Sequence, residues 1–216
     1  AYGAEMGTIT FVSYDEKYKG YIVVSDTIKD EARESIAELK REGVKKAVML
    51  TGDRKATAEA VAGELGLDVV RYELLPADKI EEVEELIEGN HNTGLKLGYV
   101  GDGINDSPAL VQANVGIAIG SGTDIAIESA DIVLIRSDLN DVVSAIKLSR
   151  ATIRNIKENL FWAFIYNVVG IPIAAGVLFA LYNGPKLNPM IAAFAMSLSS
   201  VSVLLNALRL KLFRVK

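Results

Sequence analysis

The sequence predicts an α/β domain built on a mainly parallel sheet, followed by a two-helix transmembrane hairpin. Three observations predict it. Short apolar runs alternate with helix-periodic segments through the first 150 residues, the pattern of strands joined by crossover helices. Two uncharged, mostly apolar stretches, 160–182 and 187–208, each reach the ~20 residues a helix needs to cross about 30 Å of hydrocarbon. Charge divides at the same place: residues 1–150 carry 16 Lys+Arg against 27 Asp+Glu, whereas 151–216 carry 7 against 1. The expected units are therefore 1–150, an acidic soluble domain, and 151–216, a basic-flanked membrane unit.

Phe11, Val12 and the run 20–24 read as strands, being rich in β-branched and aromatic residues. Helical periodicity follows over 28–42, with Ile36 and Leu39 on one face and Gly43 as the stop. A short apolar strand at 47–50 precedes a helix at 55–65, ended by Gly66. Then come a strand at 69–72, an acidic helix at 77–88, a strand at 97–100 and a helical turn at 108–112. Apolar strands at 115–119 and 132–135 complete the set. Asp138 has the form of an N-cap, and Leu139, Val142, Val143, Ile146, Ile153 and Ile156 recur at helical spacing beyond it. That segment runs into the first apolar stretch as a stalk, with Gly170 and Pro172 expected to kink it.

Around the apolar stretches, Arg150, Arg154 and Lys157 precede the first, and Arg209, Lys211, Arg214 and Lys216 follow the second. The connecting Asn183-Gly184-Pro185-Lys186 carries one charge, so both ends are expected on the cytoplasmic side, with residues 1–150 cytoplasmic and the lipid bilayer as a partner. Trp162 and Tyr182 stand near span ends, where aromatic rings favour the interface. With 50% hydrophobic residues and a mean hydropathy of +0.25, the chain is apolar for a soluble protein. The acidic first part shows no basic stripe and argues against nucleic acid as a partner. No cysteine is present, which excludes a disulfide scaffold and a zinc–thiolate site. The first twenty residues contain Glu5, Asp15 and Glu16 and no long apolar run, so no signal peptide is legible.

In parallel α/β sheets ligands bind beyond the carboxyl ends of the strands, and three motifs fall there. Thr51-Gly52-Asp53 follows the strand at 47–50 and opens a helix. It reads either as a phosphate cradle of amides and a hydroxyl, or as an ordinary turn with Asp53 as N-cap. Gly101-Asp102-Gly103-Ile104-Asn105-Asp106 follows the strand at 97–100, and its two carboxylates offer hard oxygen ligands to Mg²⁺. Lys79 is either a compact cation for phosphoryl oxygens or a solvated helix residue. A donor cradle, a cation and a metal are the parts phosphoryl transfer needs. In the second apolar stretch Met196 and Ser200 lie four apart on one helix face. The thioether is a soft ligand suited to Cu(I), and the same residues also serve as core filler and small packing residues.

Together, Leu50-Thr-Gly-Asp-Arg54, Gly101-Asp-Gly-Ile-Asn-Asp-Ser-Pro-Ala-Leu110 and Val115-Gly-Ile-Ala-Ile-Gly-Ser-Gly-Thr-Asp124 resemble the P-type ATPases, members of the haloacid-dehalogenase-like superfamily. The resemblance implies a Rossmann-like (haloacid-dehalogenase-like) sheet. It implies that Thr51 and Gly52, with Asp53 beside them, contact a phosphoryl group and that Lys79 binds it. By the same likeness Asp102 ligates Mg²⁺, and Asn105 and Asp106 complete the site. Tyr166-Asn167 and Met196-Ser-Leu-Ser-Ser200 look like signatures of the copper(I) branch of the heavy-metal pumps, and no charged residue interrupts either apolar stretch. Tyr166, Asn167, Met196 and Ser200 would then hold Cu(I) or the equally soft Ag(I) on its way across a cell membrane.

The family's phosphorylated aspartate lies in an Asp-Lys-Thr-Gly-Thr string that this sequence does not contain. Its Thr-Gly-Glu and Cys-Pro-Cys strings are missing too. The chain is accordingly expected to be the C-terminal part of an ATP-driven copper pump, incapable of phosphorylating itself. Its partners would be the actuator, the nucleotide-binding domain and the earlier membrane helices of the same pump. Other classes compatible with the sequence are a non-catalytic or regulatory partner, such as half of a split pump, and a membrane-tethered phosphatase. The phosphatase would need an Asp-x-Asp nucleophile string, and none occurs.

Overall fold

The computed structural model describes residues 8–24, 27–101, 106–120, 128–182 and 189–212. The chain forms two compact units, Ala1–Val143 and Ser144–Lys216.

In the first unit, strands β1 (Thr8–Tyr14) and β2 (Lys17–Val24) pair antiparallel, with an irregular register between Val12 and Ser13. Only Asp15 and Glu16 join them, at φ 52° and 56°, the left-handed pair whose twist suits a two-residue hairpin. This corrects the expectation that these residues join a mainly parallel sheet. A two-residue connection allows only antiparallel pairing, so the hairpin stands as a ladder of its own.

Parallel α/β structure follows. Helix α1 (Asp30–Arg41) has Asp30 and Glu31 in its first turn and Lys40 and Arg41 in its last, each sign complementing the helix dipole. Strand β3 (Val48–Leu50), helix α2 (Lys55–Leu65) and strand β4 (Val69–Arg71) form one crossover, and β3 pairs parallel with β4. Gly66 closes α2 in the left-handed conformation at φ 69°. Helix α3 (Pro76–Gly89) opens on Pro76, where the missing N–H costs nothing, and Asp78 Oδ2 accepts the Leu75 amide at 2.8 Å.

Strand β5 (Gly98–Gly101), helix α4 (Ser107–Gln112) and strands β6 (Val115–Ile119) and β7 (Ile132–Leu134) complete the unit; the ladder runs β5-β6-β7, all parallel. Ala58 and Ala62 of α2, Val83 of α3, Leu110 of α4 and Ile117 and Ala118 of β6 are buried, so the core lies between strands and covering helices. The α/β class with parallel strands is as the sequence predicts.

Helix α5 (Leu139–Ala174) begins in the first unit and ends in the second. Asp138 caps it as expected, its Oδ1 accepting the Asn140 amide at 2.8 Å. Gly170 and Pro172 do not end the helix, which continues to Ala174. The stop comes at Gly176, at φ 87°, where the Ala175 and Gly176 amides bond back to Ile171 and Ile173. Helices α6 (Val177–Tyr182) and α7 (Pro189–Arg209) and a 3₁₀ turn (Leu210–Leu212) follow.

No helix among the described residues is long and apolar enough to cross a membrane. Of the stretches expected to span, 187–208 begins at two positions outside the described residues and some side chains of 160–182 are not described, while the expected turn at 183–186 lies wholly outside the described residues. Many of their described apolar side chains are exposed, among them Phe161, Phe164, Val168 and Ile171 on α5 and Val201, Leu204 and Leu205 on α7.

Candidate functional site

The turn after β3 is built by its own side chains. The Thr51 amide extends the ladder by donating to Arg71 O at 3.0 Å, and Thr51 O accepts the Leu74 amide at 3.1 Å. The Thr51 hydroxyl donates to Asp53 Oδ2 at 3.0 Å and accepts the Asp53 amide at 3.1 Å. Asp53 O takes the Glu73 amide at 2.9 Å, so the turn closes on residues 73–74. Gly52 fits because a Cβ there would lie 3.2 Å from Leu74 O. The alternative role for Asp53 as an N-cap does not hold: the N-cap of α2 is Arg54, and the Asp53 carboxylate is engaged by Thr51.

One residue past Leu74 stands the N-cap of α3, and the first turn of that helix carries Lys79. Its ammonium forms an ion pair with Asp106 Oδ1 at 2.8 Å, both side chains being mostly buried. Lys79 is thus not a solvated helix residue. Asp106 directly precedes α4, held beside the end of β5, and the Tyr99 hydroxyl donates to the same Oδ1 at 2.9 Å. A cation from one crossover and a carboxylate from the next meet here, although 27 residues separate them in sequence.

Asp102 and Asn105 lie outside the described residues, as does the rest of 102–105. Among the described residues no cluster of three His, Cys, Asp or Glu side chains could hold a metal ion. The oxygens on hand are the Asp106 carboxylate and the buried Ser107 hydroxyl, which has no hydrogen-bond partner among the described residues. Both are hard donors, the class Mg²⁺ takes.

In the second unit the Tyr166 hydroxyl lies 3.5 Å from Ser202 Oγ, linking α5 to α7. Asn167 is exposed and donates to its own helix at Ala163 O, 2.8 Å away. Ser200 lies exposed on α7; Met196 is on the same helix, its side chain outside what is described. Sequence reasoning misses Ser202 and a run of asparagines. Asn155 donates to Asn206 O at 2.7 Å, Asn206 donates to Asn159 Oδ1 at 2.9 Å, and Asn159 donates to Asn155 Oδ1 at 3.1 Å. The spacing of Asn155 and Asn159, four apart on a helix, is the signal that could have found them. Beside this cluster lies an open groove lined by Trp162, Tyr166, Ser202, Leu205, Asn206 and Arg209.

Residues 2–114 match the haloacid dehalogenase-like hydrolase family. The "Copper-transporting ATPase 1" of Rhizobium meliloti is 55% identical over 201 residues, covering 93% of this chain and 24% of the relative. The "Copper-exporting P-type ATPase" of Legionella pneumophila is 52% identical, covering 94% and 27%. A crystal structure of a zinc-transporting PIB-type ATPase in the E2.Pi state superimposes with a TM-score of 0.76 at 38% identity, over 95% of this chain and 32% of that one. The chain spans about a quarter of the length of the curated relatives it matches.

Proposed function

We propose, from the premise that this chain belongs to the haloacid dehalogenase-like hydrolase family, that it is the phosphate-handling and final membrane segment of an ATP-driven copper(I) exporter. The observation that carries this is the Lys79–Asp106 pair at the end of β5. A buried cation matched to a carboxylate at a strand terminus is poised to exchange partners when a phosphoryl group arrives. Lys79 then meets charge developing on the phosphoryl oxygens, in a site where little water competes. The Thr51–Asp53 turn orients that group, its hydroxyl already fixed by Asp53. Asp102 and Asp106 would hold Mg²⁺, which supplies further positive charge to the phosphoryl oxygens. The phosphorylated aspartate and ATP would come from the remainder of the pump.

The helix unit supports the transport half of the reading. Exposed Phe164, Val168, Leu204 and Leu205 form apolar surface of the kind that meets lipid or a partner helix. The Tyr166–Ser202 contact sets polar groups between α5 and α7, where polar side chains of a membrane bundle mark a pathway. Met196 on α7 offers a soft thioether for Cu(I) or Ag(I), together with Tyr166, Asn167 and Ser200. Helix α5 runs unbroken from its Asp138 cap to Ala174 and would carry motion of the phosphate site toward the metal.

Two substitutions in the complete pump test the assignment. Lys79→Ala should lower phosphoenzyme formation by about a hundredfold or more, the size of losing one charge-stabilising donor. Met196→Ile should leave phosphorylation from inorganic phosphate intact and depress metal-stimulated turnover. Full phosphoenzyme in the Lys79→Ala pump would refute the phosphate reading. Unchanged metal stimulation after Met196→Ile would refute the copper site.

A further inference from the structure

We propose that Tyr99 is a positioning residue that holds Asp106 in place while Lys79 leaves it for a phosphoryl oxygen; this rests on the phosphate-handling reading given above. Both donors converge on one atom, the Tyr99 hydroxyl at 2.9 Å and the Lys79 ammonium at 2.8 Å from Asp106 Oδ1. The Lys79 and Asp106 side chains are only 18% and 14% exposed, so water is a poor substitute for either donor. The strand end is shaped for this contact. A Cβ on Gly101 would lie 2.8 Å from Asp106 Cβ and 3.2 Å from Tyr99 Cε1, so any larger residue would push the carboxylate or the ring away.

When Lys79 turns to a phosphoryl oxygen, Oδ1 of a mostly buried carboxylate loses its charged partner. Among the described residues the Tyr99 hydroxyl is the donor that remains on Oδ1, and it keeps the carboxylate oriented. Without that hydroxyl, departure of Lys79 would take away the second of these two donors from Oδ1, and Asp106 would compete harder with phosphate for the ammonium. The exchange involves one ion pair and its hydrogen bonds. No covalent bond changes and no proton is transferred.

Tyr99→Phe removes the hydroxyl and keeps the ring, and it is to be made in the complete pump carrying this segment. Phosphorylation by radiolabelled inorganic phosphate is followed at saturating Mg²⁺, with the thermal unfolding midpoint measured in parallel. The half-saturating phosphate concentration should rise about tenfold, as for one lost hydrogen bond to a charged group. Maximal labelling and the midpoint should stay unchanged. An unchanged half-saturating concentration overturns the proposal, whether or not labelling and midpoint fall. Lys79→Ala serves as the control on the underlying reading. If it leaves labelling intact, the phosphate site itself is misassigned; if it abolishes labelling while Tyr99→Phe has no effect, only the role of Tyr99 fails.

Discussion

In the first unit Leu110, Val83 and Ala118 are buried and the helices turn charge outward; in the second, Asn206 is buried while Phe164, Val168 and Leu204 stand exposed. The asparagines of the second unit satisfy one another across α5 and α7, where an ordinary helix pair would place leucines. A chain in water gains by hiding apolar surface, at ~25 cal/mol per Å², and the first unit obeys. Between helices in lipid that gain vanishes, and small polar contacts hold the pair instead. The two units thus differ in what they bury and what they expose, the contrast that the proposed phosphate-handling and membrane roles would produce.

The largest effect expected is in the first unit. Leu110→Ala removes a side chain only 1% exposed and should cost roughly 2–5 kcal/mol in thermal or denaturant unfolding of that unit. A cost below about 1 kcal/mol, the size of an ordinary surface change, would mean that the core lies elsewhere.

Much of this frame is legible in the sequence. Helix α2 runs over 55–65 as its periodicity and Gly66 require, and Asp138 caps α5 as its place before an apolar repeat suggests. Such features are local: a cap or a stop acts on neighbours within a turn or two. The β1–β2 hairpin is not legible from composition, because strand-forming residues say nothing about partner or direction; its signal is the short Asp15–Glu16 connection. Lys79 and Asp106 can be picked out one by one as phosphate chemistry. Their pairing joins two crossovers and depends on the fold. Tyr99 carries no signal, since an aromatic residue in a strand is ordinary. A kink is expected at Gly170 and Pro172; the helix runs through both, and it stops where Gly176 supplies a left-handed cap, a signal that sequence reasoning misses.

Charge placed on each exposed surface sharpens the contrast. Val168 and Val111 are similarly exposed, at 63% and 67%. Val168→Asp should cost about 2.5–3.5 kcal/mol of membrane insertion, measured by glycosylation-reporter partitioning. Val111→Asp should stay within about 0.5 kcal/mol in soluble unfolding. Equal, negligible costs would count against the proposed membrane role of the second unit.

Asn206→Ala deletes the centre of the asparagine cluster and leaves Asn159 Oδ1 without its 2.9 Å donor. The expected loss is about 1 kcal/mol of helix-pair stability in detergent, the usual size of a polar contact in lipid. No loss would make the cluster incidental.

The smallest effect is a surface one. The Ala47 amide, and after it Lys40, hold the Asp68 carboxyl below its ordinary value. A carboxylate with a depressed folded value stabilises above its unfolded value, about 4, and loses that contribution as pH falls through the folded one. Asp68→Asn should therefore lower the unfolding midpoint slightly at pH 7, with the difference shrinking below about pH 4. A difference that grows in acid would reverse the assigned sign.

The absence of cysteine allows the most direct test of the proposal that the second unit sits in a membrane and the first does not. Single cysteines are placed by Val168→Cys, Leu204→Cys and Glu85→Cys in the chain expressed with membranes, and labelling by a membrane-impermeant maleimide is timed. Rapid labelling is predicted at position 85, with protection at 168 and 204 that is lost in denaturing detergent. Labelling of all three at the same rate in intact membranes would contradict it.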